Sequence, residues 1–167
     1  TPYPTLFPYT TLFRSYLIMK LSKRGEYSLR TMIFLAVHQV EQPMYQIKEI
    51  AHSEQIPIKY LEQIMLSLRN DGLLQSKRGV SGGYYLARTP AEISLSEIIR
   101  VLDGPLAPIR CVSQMAYEPC GCPDEATCGL RLTMQEVRGE LARMLDNTSL
   151  QDVIEKVQAS QVNTSIP

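Results

Sequence analysis

Apolar residues recur at helical spacing through the first part of the chain, give way to a short alternating stretch, and return to helical spacing towards the end. Ser22 is placed to cap a first helix running to about residue 39, with Leu29, Met32, Ile33, Ala36 and Val37 as its apolar stripe. Gln42-Pro43 closes it, and a short helix over about 46–53 follows with Ile47, Ile50 and Ala51 on one face. Pro57 breaks the chain before a third helix over about 58–70, whose inward residues are Leu61, Ile64, Met65 and Leu68 and whose stop signal is Asp71-Gly72. The stretch "LLQSKRGVSGGYYLA" at 73–87 then reads as two short strands around a glycine- and serine-rich loop.

Beyond the strands, Ser94 caps a helix ending at Gly104, and a longer helix is predicted over about 129–146. The stripe of that long helix is Leu130, Met134, Val137, Leu141, Met144 and Leu145, at spacings of three and four. Thr148-Ser149 caps a last short helix to about 158, and the tail 159–167 is expected to fray. Helices joined by a tight proline-containing turn and followed by a hairpin have the order of a winged helix-turn-helix. The expected fold is therefore mainly α with a small β-hairpin wing, a winged helix-turn-helix plus a long dimerisation helix. A small domain offers little core for the long helix to cover, so self-association is expected, with packing on its own domain as the alternative. The expected organisation is a reading domain over 19–88, a connecting helix over 89–110, a cysteine-rich loop over 111–128, and the dimerisation and C-terminal helices over 129–158.

Residues 1–18 do not fit this pattern. "TLFPYTTLFRS" at 5–15 resembles the conceptual translation of a sequencing adapter, so a non-native extension with a native start at Met19 is expected. The longest apolar run, "MIFLAV" at 32–37, is too short to cross a bilayer, and no signal-peptide pattern is seen; no membrane partner and a cytoplasmic location are expected. Net charge is zero over 167 residues, but residues 20–88 carry ten Lys or Arg against six Asp or Glu, and residues 89–167 carry six against eleven. A basic front half is suited to an anionic partner such as nucleic acid.

The third helix would read DNA through Lys59, Tyr60, Glu62 and Gln63, the polar groups near its start. Gln63 suits an adenine edge, Glu62 a cytosine amine, and Lys59 and Tyr60 phosphate or base. On this helix alone a solvated face is the simpler reading. The loop "SKRGVSGG" shifts the balance, because it places Lys77, Arg78 and Ser81 beside Gly79, Gly82 and Gly83 at a hairpin tip. Cations there attract phosphate whatever the sequence, and glycines permit close backbone approach. Lys23, Arg24, Tyr27 and Arg30 on the first helix are further phosphate candidates. His38 and His52 have no ligand neighbours in the pattern and read as surface or cap residues, and Tyr84 and Tyr85 as hairpin packing.

The segment "IPIKYLEQIMLSLRNDGLLQSKRGVSGGYYLARTPAEISLSEIIRVLDG", with the opening "MKLSKRGEYSLR", resembles the Rrf-type transcription regulators, the IscR/NsrR group. The likeness runs from Met19 to about Val157. It implies a homodimer on a near-palindromic double-stranded DNA operator, with the third helix in the major groove, the wing over the neighbouring backbone or minor groove and the 129–146 helix as the dimer interface.

All four cysteines fall within 111–128. In a reducing compartment such clusters are metal or redox groups more often than structural disulfides. The resemblance implies an iron–sulfur cluster, 2Fe–2S or 4Fe–4S. Cys122 and Cys128, with five residues between them, match the family's last two ligands, and Cys111 is the first. Cys120 is an additional thiol, Arg131 stands where some relatives carry a histidine, and Glu26 corresponds to a carboxylate ligand supplied by the partner subunit. Asp124 and Glu125 add unfavourable negative charge beside such a centre. Zinc, a disulfide switch and plain packing are the competing readings of the thiols. The functional expectation is a repressor-type regulator sensing redox state, nitric oxide or iron–sulfur status. A thiol oxidoreductase using Cys120-Gly121-Cys122 is disfavoured, since Arg110 and Arg131 are the nearest cations and no histidine sits beside the pair. A winged helix used only for protein contact is disfavoured by the basic wing.

Overall fold

The computed structural model describes residues 21–79 and 81–164. The adapter-like segment and Met19 lie outside the described residues. Helix α1, Lys23–His38, begins as expected at Ser22, whose Oγ accepts a hydrogen bond from the Gly25 amide at 3.1 Å. Its buried face differs from the apolar stripe: Ser28, Thr31, Met32, Leu35 and Ala36 point inward, while Leu29, Ile33 and Val37 are only partly covered. The difference is possible because Ser28 Oγ donates back to the Gly25 carbonyl at 2.7 Å, which makes a small polar side chain acceptable in the core.

Helix α2, Ile47–Glu54, starts with a capping box in which the Gln46 amide donates to Glu49 at 2.6 Å. It ends at Gln55, which takes the left-handed conformation with φ 52°. Helix α3, Ile58–Asn70, buries Leu61, Ile64, Met65 and Leu68, the four positions expected. Strands β1, Leu74–Lys77, and β2, Gly83–Leu86, pair antiparallel with Leu74 opposite Leu86 and Lys77 opposite Gly83. A third stretch joins them: Tyr45 and Tyr84 exchange backbone hydrogen bonds at 3.0 and 2.8 Å, so the wing is stitched to the chain just ahead of α2.

Helix α4, Leu95–Asp103, is opened by a Ser94–Glu97 capping box and closed by Gly104 at φ 78°. A 3-10 turn at Arg110–Val112 leads into the cysteine loop, followed by α5, Gly129–Asp146, and α6, Leu150–Thr164. The C-terminal helix runs past the expected stop at 158, since no glycine or proline interrupts residues 158–164, and that part of the tail is helical. Ser149 caps it, its amide and hydroxyl both donating to Asp152. The core lies between α1, α3, α4, the base of the wing, and Leu150 and Ile154 of α6. No residue of α5 is buried. Among the described residues no helix is long and apolar enough to cross a membrane.

Candidate nucleic-acid interface and thiol loop

The burial of one face of α3 leaves the other to solvent, and Lys59, Tyr60, Glu62 and Gln63 all stand on that exposed face. The Tyr60 ring meets Tyr27 of α1 edge-on, centroids 5.7 Å apart. Lys23, Arg24 and Tyr27 thus face Lys59, Tyr60 and Gln63 across one open cleft of about 730 Å³. The cleft thus brings together six of the eight contact residues expected on the first and third helices; Arg30 and Glu62 do not line it. Lys23 pairs with Glu26 at 2.7 Å, and that hydrogen bond and charge raise its ammonium pKa. Arg30 is committed elsewhere: it binds the Glu54 carboxylate at 3.1 Å and also the Glu54 carbonyl, tying α1 to the end of α2.

At the wing, Lys77, Arg78, Gly79 and Ser81 are exposed, and Gly79 takes φ 118° in open space. Two of the glycines read as contact residues have internal duties. A Cβ on Gly82 would collide with the Lys77 carbonyl, and the Gly82 amide donates to Gly79 O at 3.0 Å to close the turn. Gly83 is buried, and a Cβ there would come within 2.6 Å of the Tyr45 carbonyl. Its smallness serves the Tyr45–Tyr84 stitch, and it is not part of the accessible tip.

The four thiols lie in one loop and none is in a disulfide. Cys111 is buried in the 3-10 turn, while Cys120, Cys122 and Cys128 are half-buried. Cys122 lies 3.4 Å from Cys128 between sulfurs, and Cys120 is close enough to Cys111 and Cys122 to influence both thiols. Burial, reinforced by Cys120, pushes the Cys111 thiol up. Hydrogen bonds to Cys120 and Cys128 push Cys122 up to about 12. Cys128 goes the other way, because the Arg131 backbone amide at the head of α5, helped by Cys122, favours its thiolate. That contact is looser than a formed helix cap, since Cys128 makes no side-chain capping bond.

Thiolates are the donor set of an iron–sulfur cluster or a tetrahedral zinc site, so the donor chemistry fits either. The sulfurs are strung out, however, and among the described residues no three His, Cys, Asp or Glu side chains converge as a metal-binding group. Within this chain Glu26 is engaged by Lys23 and, at 3.9 Å, by Arg30.

The acids of the loop do more than add charge. Asp124 accepts from the Ala126 amide at 2.9 Å and from the Thr127 hydroxyl at 2.5 Å, an Asx-type turn legible in the order Pro-Asp-x-x-Thr. Glu125 accepts from the Cys120 amide at 2.8 Å and from the Tyr117 hydroxyl at 2.6 Å. Helix α5 holds the loop through two arginines: Arg138 donates to the Val112 carbonyl at 3.0 Å and Arg131 to the Cys111 carbonyl at 3.4 Å. The apolar stripe of α5 divides. Met134, Leu141 and Leu145 are half-covered, whereas Leu130, Val137 and Met144, seven residues apart in turn, are exposed. His38 stacks on Phe34, with Nδ1 2.9 Å from the Phe34 carbonyl, and Tyr85 donates to Gln75.

The Rrf2 family model, described as iron-dependent transcriptional regulators, matches residues 21–156. An rrf2-like HTH-type transcriptional regulator of Rhodobacter capsulatus is 37% identical over 137 residues, which cover 80% of this chain and 91% of that protein. The structure of CymR, the global cysteine regulator of B. subtilis, superposes with a TM-score of 0.69 at 34% identity, covering 83% of this chain and 98% of that one. T. potens IscR also gives 0.69, at 30% identity, covering 86% and 91%. These relatives are transcriptional regulators and not enzymes. A winged helix-turn-helix fold and a family match across most of the chain lead to one assignment: the protein belongs to the Rrf2 family of transcriptional regulators.

Proposed function

We propose that the chain acts as a homodimeric, DNA-binding repressor whose thiol loop holds an iron–sulfur cluster. The exposed heptad of Leu130, Val137 and Met144 on α5 supplies the dimer contact. Each subunit sets α3 in a major groove, with Lys59, Tyr60, Glu62 and Gln63 towards the bases. Lys77, Arg78 and Ser81 of the wing, and Lys23 of α1, take the flanking phosphates. Cys111, Cys122 and Cys128 are the ligands, completed by Cys120 or by Glu26 of the other subunit. When bound, such a centre supplies a group sensitive to oxidants and nitric oxide.

One observation carries the reading. The loop of four thiols sits between α4 and α5, and Arg131 and Arg138 of α5 bind the carbonyls of Cys111 and Val112 inside it. A change in the loop therefore acts directly on the helix that sets the spacing of two reading heads, to which paired half-sites are sensitive. The test is the visible spectrum and iron and sulfide content of anaerobically purified protein, followed by gel shifts of loaded, cluster-free and oxidised forms. Stoichiometric iron and unequal affinities support the proposal; equal affinities in all forms refute sensing.

A second reading is favoured by the Cys122–Cys128 separation of 3.4 Å. Closing it to a disulfide bond of about 2.05 Å needs only a small movement. The likeness to Staphylococcus aureus CymR, solved in an oxidized form, favours this thiol switch. Colourless, iron-free protein whose DNA affinity changes on oxidation would select it.

A further inference from the structure

The acids of the loop read in the sequence only as a burden on an anionic centre, yet Glu125 uses both carboxylate oxygens to organise it. Oε1 accepts from the Cys120 amide at 2.8 Å and Oε2 from the Tyr117 hydroxyl at 2.6 Å. Both donors precede Gly121, and the acceptor follows Pro123, so one side chain spans the turn that carries Cys120 and Cys122. We propose that Glu125 is the positioning residue that clamps this turn, fixing where the Cys120 and Cys122 thiols stand in the loop.

The geometry distinguishes a clamp from an incidental charge. The carboxylate accepts from the Cys120 backbone amide at 2.8 Å and also lies beside the Cys120 thiol, so it fixes this residue by its backbone while shielding its sulfur. The segment has no other strong restraint on that side: Gly121 has open space around it, and 119–128 contains no helix or strand. Tyr117 supplies the second anchor at the loop's outer edge, where Arg110 and Glu118 are joined at 2.5 Å. A carboxylate is suited to the task because it accepts two strong hydrogen bonds at once. The inference deepens the proposed function, resting on the thiol loop as the sensing element, and determines how many sulfurs that element presents together.

The experiment uses full-length, metal-free, reduced protein and iodoacetamide as the probe, with alkylation of each cysteine followed by peptide mass spectrometry. Cys128, at the head of α5, is the internal reference. Glu125→Ala removes both hydrogen bonds, and opening of the turn is expected to raise the Cys120 rate relative to Cys128 about tenfold. Glu125→Gln keeps an acceptor for the Cys120 amide and a donor for Tyr117, and is expected to stay within about twofold of the native ratio. Tyr117→Phe should fall between them. An unchanged ratio in Glu125→Ala overturns the clamp. So does an equal effect of Gln and Ala, which would assign the change to charge alone, or an equal acceleration at all four cysteines, which would mean general unfolding of the loop. Iron uptake by the native protein is measured in parallel. Its absence would sink the cluster reading while leaving the alkylation ratios at Cys120, and the clamp they test, untouched.

Discussion

Gly25 sits in the first turn of α1 with no room for a side chain. A Cβ there would lie 2.7 Å from the Asp103 carboxyl carbon and closer still to one of its oxygens. That carboxylate accepts from the Ser22 amide at 2.9 Å and from the Ser22 hydroxyl, while Ser22 Oγ accepts from the Gly25 amide. Gly25→Ala therefore sets two effects against each other. Alanine is the better helix former by about 0.5–1 kcal/mol. The methyl group expels the Asp103 carboxylate, and losing its two hydrogen bonds at this partly exposed site costs about 1–2 kcal/mol in all. Net destabilisation of about 1 kcal/mol is expected, or about 3 °C in Tm for a domain of this size.

The background decides the sign. In Asp103→Ala the obstacle is gone, and Gly25→Ala should now stabilise by about 0.5–1 kcal/mol. The coupling energy of the cycle is then about 1.5–2 kcal/mol, well above what distant residues show. Urea unfolding of the four proteins, with unchanged m values, measures it. The reasoning is refuted if Gly25→Ala has the same effect with and without Asp103. The same contact fixes the head of α1, where Lys23 and Arg24 line one cleft with Lys59, Tyr60 and Gln63 of α3.

Gln55 holds φ 52° at the end of α2, so Gln55→Gly should stabilise by about 0.5–1 kcal/mol in the same urea assay. Gly83→Ala forces the Tyr45 and Tyr84 backbones apart and should cost about 2–3 kcal/mol, with the loss seen first as faster hydrogen exchange at the Tyr45 and Tyr84 amides. Lys77→Ala with Arg78→Ala should weaken binding to all duplexes alike and make the slope of log K against log salt shallower by about 2. Val137→Glu should shift the protein from dimer to monomer in sedimentation, because Val137 stands in the exposed stripe of a helix with no buried residue.

Elements governed by local rules were readable from the chain. Helix α3 has strong breakers on both sides and four apolar residues in register, and its limits match the expectation. Ser94 and Gly104 bound α4 for the same reason. On α1 the apolar pattern misleads about which residues are buried. Ser28 is hidden in the core because it bonds one turn back, and Thr31 is hidden beside it with no hydrogen-bond partner for its hydroxyl. The contacts between distant segments carry no sequence signal: Arg30 with Glu54, Ser22 with Asp103, Tyr45 with Tyr84. They change the site, tying Arg30 to Glu54 and giving Gly83 a packing role. The grouping of the cysteines is evident in the chain, but the Cys122–Cys128 contact and the two hydrogen bonds of Glu125 depend on how a loop without periodicity folds back on itself.

Those long-range contacts bound how much a change in the thiol loop transmits. Its leading end is fixed to α1 through α4, where Asp103 holds Ser22. Its carbonyls are fixed to α5 by Arg131 and Arg138, and Arg100 of α4 meets Asp146 of α5 at 2.9 Å. A loop tethered on one side could rearrange without consequence for the rest; this one is linked both to the winged-helix core and to the long helix. The free energy transmitted cannot exceed the difference in those contacts between two loop states. Breaking the two arginine–carbonyl bonds amounts to about 1–3 kcal/mol, since each is a hydrogen bond to a partly buried carbonyl. That corresponds to roughly 5- to 150-fold in affinity for a partner that selects one state, the usual range of coupling between distinct sites. Substituting Arg138 with methionine, which keeps much of the side chain's bulk, should therefore cut the ratio of DNA affinities between loop states while leaving the tighter-binding state close to its native affinity.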